Sequence, residues 1–104
     1  MSDESAFQHI DVSGLQKLKD NPSLTIFDIR DPNSFAQGHI PGALHLHNDN
    51  LQTLLAEVDR NAPVVLCCYH GVSSQSAAEF VAAQGFSDVY SLDGGYAAWQ
   101  QQES

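Results

Sequence analysis

Pro63-Val64-Val65-Leu66-Cys67 is the most apolar stretch of the chain, and it runs directly into Cys68-Tyr69-His70-Gly71-Val72-Ser73. A short β-branched run bounded by turn residues fits a strand buried on both faces, the setting of a central strand in a parallel sheet. A helical pattern then starts near Ser73 or Ser74, with Ala77, Phe80, Val81 and Ala82 or Ala83 as its expected buried positions, and Gly85 closes it. Strand, short loop and helix in immediate succession is the unit from which α/β domains are built.

The same alternation extends outward in both directions. On the N-terminal side, a short strand is expected over residues 7–10, followed by a helix to about Asp20 capped by Asp11 or Ser13, with Leu15 and Leu18 on one face. Asn21-Pro22 ends that helix. Residues 24–29 are β-rich and apolar and suit a second buried strand. Asp31-Pro32-Asn33 reads as a turn before a short helix from Ser34 to Gln37, stopped by Gly38. Ala43-Leu44-His45-Leu46 reads as a short strand, and Asp49 or Asn50 caps a helix that turns Leu51, Leu54, Leu55 and Val58 inward. On the C-terminal side, a strand over 88–92 and an Asp93-Gly94-Gly95 turn lead to a final helix, with Tyr96 and Trp99 expected in the core. The expected architecture is one α/β domain over residues 1–104, a mainly parallel five-stranded sheet with helices on both faces. Ligand sites in such folds lie beyond the carboxyl ends of the strands, which is where Cys68 falls.

Composition narrows the function. The 104 residues are 42% hydrophobic, enough for one buried core without staples. No apolar run approaches the ~20 residues that span a bilayer. Met1-Ser2-Asp3-Glu4-Ser5 is acidic and does not read as a signal peptide, so a cytoplasmic location is expected. The net charge is −9, with only Lys17, Lys19, Arg30 and Arg60 positive, which argues against nucleic acid and anionic membrane as partners. The two cysteines, Cys67 and Cys68, are adjacent. Neighbours on a strand point to opposite faces, which argues against a structural disulfide, and the spacing is not that of a zinc site. Free thiols in a reducing compartment are the setting for catalytic cysteine.

The loop after Cys68 favours thiolate on elementary grounds. Successive amides in a tight, glycine-containing loop converge on one point and form an anion cradle. The helix starting at Ser73 adds the positive end of its dipole, and Ser73 and Ser74 supply hydroxyl donors. A thiolate held this way is a good nucleophile, and a persulfide in the same ring is stabilised equally. The competing reading is a packed core cysteine, since free cysteine is among the most buried residue types.

Three motifs then carry a family resemblance. Asp28-Ile29-Arg30-Asp31-Pro32, Phe35 and Gly38-His39-Ile40-Pro41-Gly42-Ala43 resemble the N-terminal signature of rhodanese domains. Asp93-Gly94-Gly95-Tyr96-Ala97-Ala98-Trp99 resembles their C-terminal signature, and Cys68 to Ser73 resembles their six-residue active-site loop. Order and spacing match, and the resemblance covers nearly the whole chain. It is most similar to the bacterial single-domain thiosulfate sulfurtransferases. The resemblance implies double displacement: Cys68 takes the outer sulfur of thiosulfate as a persulfide and passes it to cyanide, a small thiol or a dithiol protein. It implies that the loop from Tyr69 through His70, Gly71, Val72 and Ser73, with Ser74, binds the anion and the transferred sulfur, and that no metal or organic cofactor is needed.

Arg30 has two readings, attraction of the dianion at the pocket mouth or an ion pair with Asp28 or Asp31, and the ion pair is favoured. The His70 side chain is expected to face solvent while its amide binds. His39 is expected to fix its turn by hydrogen bonds, Cys67 to face the core, and His45 with His47 to fall short of a metal site because two ligands do not make one. The loop contains no Arg or Lys, and Gln75 follows the serines, so weak thiosulfate binding is expected. A phosphatase would need a guanidinium clamp six residues after the cysteine, where this chain has Ser74. Two alternatives to thiosulfate turnover remain at this level: a persulfide carrier loaded by a partner protein, and a module that only binds.

Overall fold

The computed structural model of the chain describes residues 7–103; the reading of Met1 to Ser5 lies outside the described residues. The strands are β1 (Gln8–Ile10), β2 (Thr25–Asp28), β3 (Leu44–His45), β4 (Val64–Cys67) and β5 (Val89–Leu92). The helices are α1 (Val12–Leu18), α2 (Pro32–Gln37), α3 (Leu51–Ala56), α4 (Ser73–Ala83) and α5 (Gly95–Glu103). All five strands form one parallel sheet in the order β1-β5-β4-β2-β3, so β4 is central, as its apolar run predicts.

Strand alternation sorts the core into two layers. Val65 and Cys67 of β4, Ile26 of β2 and Leu92 of β5 face one side, where they meet Val12, Leu15 and Trp99 from α1 and α5. Val64, Leu66, Phe27 and Val89 face the other side, against Leu55, Ala78 and Val81 from α3 and α4. Every residue of β4 is buried. Each fully buried Leu, Ile or Val contributes about 1.5–3 kcal/mol relative to exposure.

Three local expectations are corrected. Helix α2 begins at Pro32 and not at Ser34. Asp31 accepts from the Ser34 amide as N-cap, and Pro32 sits where a missing N–H costs nothing, so the first turn starts two residues earlier. In α4 the buried stripe is Ser74, Ala78 and Val81, while Phe80 is 42% exposed. Small residues let α4 lie close to β4 and β5, and Phe80 falls to the flank, where it lines a cleft of about 450 Å³ with Ile29, Leu46 and Leu51. Tyr96 is only partly buried, although Trp99 is in the core as expected.

Candidate active site

Cys68 follows the last residue of β4, and its chain turns at once into the loop that starts α4. Its Sγ accepts from the Gly71 amide at 3.1 Å and from the Ser74 amide at 3.2 Å. The helix explains the second bond. Val72 occupies the N-cap of α4 and has no side-chain oxygen to offer. The amides of a first helical turn need an acceptor, and the sulfur of Cys68 takes that place. The thiol is therefore the capping group of the helix whose dipole favours its ionisation.

Carbonyls are held away from the sulfur by α5 and by Gln75. The Tyr96 amide donates to Cys68 O at 2.7 Å and the Ala97 amide to Tyr69 O at 3.1 Å. Gln75 Nε2 donates to Gly71 O at 2.8 Å. Two glycines make this approach possible. A Cβ at Gly71, where φ is +87°, would lie 2.7 Å from Gly94 N. A Cβ at Gly95, where φ is +59°, would lie within 2.6 Å of Tyr69 C and O and closer still to Cys68 O. The Asp93-Gly94-Gly95 turn thus serves as the surface against which the loop is moulded.

Cys68 is 5% exposed, and this burial acts to raise its pKa. The Ser74 hydroxyl and the amides of Ser74, Gly71 and His70 outweigh it and hold the thiol below its ordinary value. Cys67 next to it is fully buried in the α1/α5 layer, where burial and the Asp28 charge push its thiol up to about 12. One thiol is activated and its neighbour is kept neutral, because Cys67 ends β4 inside the α1/α5 core layer whereas Cys68 opens the loop that leads into α4.

The other expected positions fall as follows. Tyr69 and His70 are exposed, as are Val72 and Ser73, while Ser74 is fully buried. The Tyr69 hydroxyl donates to Asp31 Oδ1 at 2.5 Å and shares a bond with the Ser34 hydroxyl, which ties the loop to the start of α2. The Tyr69 bond, with the Ser34 hydroxyl and amide that also donate to Asp31, holds its carboxyl down at about 2. Arg30 is buried and forks onto Asp28, with Nε–Oδ1 at 3.0 Å and Nη2–Oδ2 at 2.7 Å, and Nη2 also donates to Gly38 O. Burial works against the charge of the guanidinium, but Asp28 overcomes it and raises the pKa. This cation is partnered, and it stacks on Tyr96 at 4.1 Å. Arg30, Tyr69, His70 and Tyr96 line a polar cleft of about 360 Å³ beside the loop. His39 Nδ1 pairs with Phe35 O at 2.8 Å, in keeping with its turn-fixing role. His45 and His47 stand 5.3 Å apart by ring centroid, and no group of three metal-ligating side chains occurs among the described residues.

Sequence reasoning missed Ser91, whose hydroxyl lies 2.7 Å from that of Ser74 with both residues fully buried. The available signal was a serine at an inward position of an otherwise apolar strand. It also missed the Tyr69–Asp31 tie, which joins residues far apart in sequence.

Residues 11–102 match the family model described as a rhodanese-like domain. The chain is 50% identical over 97 residues to the thiosulfate sulfurtransferase GlpE of Shewanella oneidensis, covering 93% of this chain and 96% of that one. It is 50% identical over 100 residues to the protein of the same name from Pseudomonas aeruginosa, covering 96% and 88%. Among solved structures, the human single-domain sulfurtransferase TSTD1 superimposes with a TM-score of 0.81 at 22% identity, covering 92% and 97%, a likeness of fold. A parallel five-stranded sheet with its loop cysteine at the end of the central strand, matched over nearly its whole length, makes this chain a member of the rhodanese family.

Proposed function

We propose that this protein is a thiosulfate sulfurtransferase working by double displacement at Cys68. The observation that carries the reading is the ring of donors on one buried sulfur: the amides of Gly71 and Ser74 at 3.1 and 3.2 Å, with the dipole of α4 behind them. In the first step the Cys68 thiolate bonds to the outer sulfur of thiosulfate. The S–S bond of thiosulfate breaks, and its electron pair leaves with sulfite. The persulfide keeps its negative charge within reach of the loop donors, including the amides from Tyr69 to Ser73. In the second step the carbon of cyanide, or a thiolate, attacks the terminal sulfur and returns Cys68 as thiolate. The relatives named thiosulfate sulfurtransferase support thiosulfate as donor. The step needs no metal or organic cofactor, and it needs reduced thiols, which fits a cytoplasmic setting.

One observation favours a second reading, in which a partner protein loads Cys68. Arg30 is committed to Asp28, the loop carries no cation, and the net charge is −9, so little attracts a dianion. Under the thiosulfate reading, inert salt raises or spares turnover at low thiosulfate, because it screens the repulsion. The deciding experiment is initial-rate kinetics with thiosulfate and cyanide varied together. Parallel double-reciprocal lines and loss of activity in Cys68→Ser support double displacement. Folded, reduced protein with no thiocyanate production at any thiosulfate concentration favours the partner-fed carrier.

A further inference from the structure

Behind Ser74 lies a second buried hydroxyl, that of Ser91, which the double-displacement scheme does not use. Ser74 and Ser91 are both fully buried, and their Oγ atoms are 2.7 Å apart. Ser91 belongs to β5, on the face that carries Val89 toward α4, within the layer built from Val64, Leu66, Ala78 and Val81. A hydroxyl in such a layer is costly unless it is hydrogen-bonded, and an apolar residue would pack there at no such cost. The Ser74 amide donates to Cys68 Sγ at 3.2 Å, which sets Ser74 against the sulfur, and the Ser74 hydroxyl is among the groups that lower the Cys68 pKa.

A hydroxyl carries one hydrogen. When Ser91 donates to Ser74 Oγ, the hydrogen of Ser74 is directed to the sulfur, and the two bonds run in one direction. When Ser74 donates to Ser91 instead, the sulfur loses that donor. We infer that Ser91 is a positioning residue for the nucleophile: its hydroxyl orients that of Ser74 so that Ser74 donates to the Cys68 thiolate and to the persulfide formed there. The inference rests on Cys68 as the nucleophile and goes beyond it, because the hydroxyl of Ser91 bonds to that of Ser74 and acts through it. Aligned hydrogen bonds polarise one another, so the donor nearer the anion is strengthened by the one behind it.

Other groups facing the loop are common to wild type and variants. Cys67 stays neutral, Arg30 is paired with Asp28, Tyr69 is tied to Asp31, and Asp93 after β5 pairs with His9 at 2.8 Å. His70 and Glu79 of α4 are exposed. A difference between variants therefore reads the hydroxyl pair.

The test is the pH dependence of Cys68 alkylation by iodoacetamide, located by peptide mass, in wild type, Ser91→Ala and Ser91→Thr. Alkylation consumes no sulfur donor, so failure of the sulfurtransferase reading would leave this experiment intact. In Ser91→Ala the titration midpoint is expected to move up, with the rate near neutral pH falling about three- to tenfold and the high-pH plateau preserved, as for a lost second donor to a charged group. Ser91→Thr keeps the hydroxyl and restores the wild-type midpoint. Circular dichroism and urea midpoints confirm that the compared proteins are folded. If Ser91→Ala does not fold, Ser91→Cys, with its weak donor, takes its place and is expected to give a partial shift. A midpoint unchanged in the folded variant, or a fall in rate that is equal at every pH, overturns the inference and leaves the pair as packing alone.

Discussion

Replacing Gly95 by Ala tests the moulding of the loop against α5. The added Cβ would lie within 2.6 Å of Tyr69 C and O, and closer to Cys68 O, all of them backbone atoms that have no rotamer to yield. The positive φ of +59° adds about 1–2 kcal/mol for a side chain in the left-handed region. Relief of the clash adds about 1–3 kcal/mol. The bonds from Tyr96 N to Cys68 O and from Ala97 N to Tyr69 O are the ones that must lengthen, at about 0.5–1.5 kcal/mol each. Gly42 is the control, since its φ is +88° but nothing lies within 4 Å of its Cβ position. Gly42→Ala should therefore cost only the left-handed penalty of about 1–2 kcal/mol. The two variants should differ by about 3 kcal/mol, or about 2 M in urea midpoint at a slope near 1.5 kcal/mol/M. Cys68 alkylation should slow in Gly95→Ala, because the freed carbonyls disturb the amide cradle, and stay unchanged in Gly42→Ala. Equal urea midpoints for the two variants, with unaltered Cys68 reactivity, would refute the role given to this turn.

Further predictions concern charge. Breaking the buried pair by Arg30→Ala leaves the fully buried Asp28 carboxylate uncompensated, and should cost about 3–5 kcal/mol by urea denaturation. Cys67 is raised to about 12, so between pH 9 and 12 the unfolded chain loses its proton and the folded chain does not. Its contribution to stability is present below pH 9 and is lost as pH rises, by up to about 4 kcal/mol at 1.36 kcal/mol per pKa unit. Cys67→Ala should abolish that part of the alkaline loss, while Tyr90, raised to about 12 by its bond to Asp88, retains a smaller loss in the same direction. Cys68 behaves in the opposite sense: its lowered pKa adds stability above that pKa, and this is lost as pH falls through it, which a Cys68→Ser comparison across pH 6–10 would detect. Tyr69→Phe removes the main donor to Asp31, so the Asp31 carboxyl should titrate closer to the ordinary carboxylate range in an NMR titration.

Several features of the fold were readable because they are local. The run from Val64 to Cys67 is apolar at every position, and only a central strand covered on both faces accommodates that. The place of Cys68 followed from the strand end and the helix start. The pairing of Arg30 was legible as a choice between Asp28 and Asp31, but not its burial, which depends on Tyr96 stacking from α5. The start of α2 is not legible, because Asp31-Pro32-Asn33 suits a turn as well as it suits an N-cap followed by a first helical proline. The buried stripe of α4 escapes hydrophobic pattern, which favours Phe80, because close approach to the sheet selects Ser74 and Ala78. The partnership of Ser74 with Ser91 and the contact of Gly95 with Cys68 join distant segments, and no periodicity encodes them.

The central claim is that Cys68 carries sulfur as a covalent persulfide, and the most direct measurement is intact mass under anaerobic conditions. Protein with reduced thiols is incubated with thiosulfate, weighed, treated with cyanide and weighed again. The account predicts a gain of one sulfur atom that maps to Cys68, spares the buried Cys67 and disappears with cyanide. Folded protein that gains no mass, or gains it at Cys67, would contradict it.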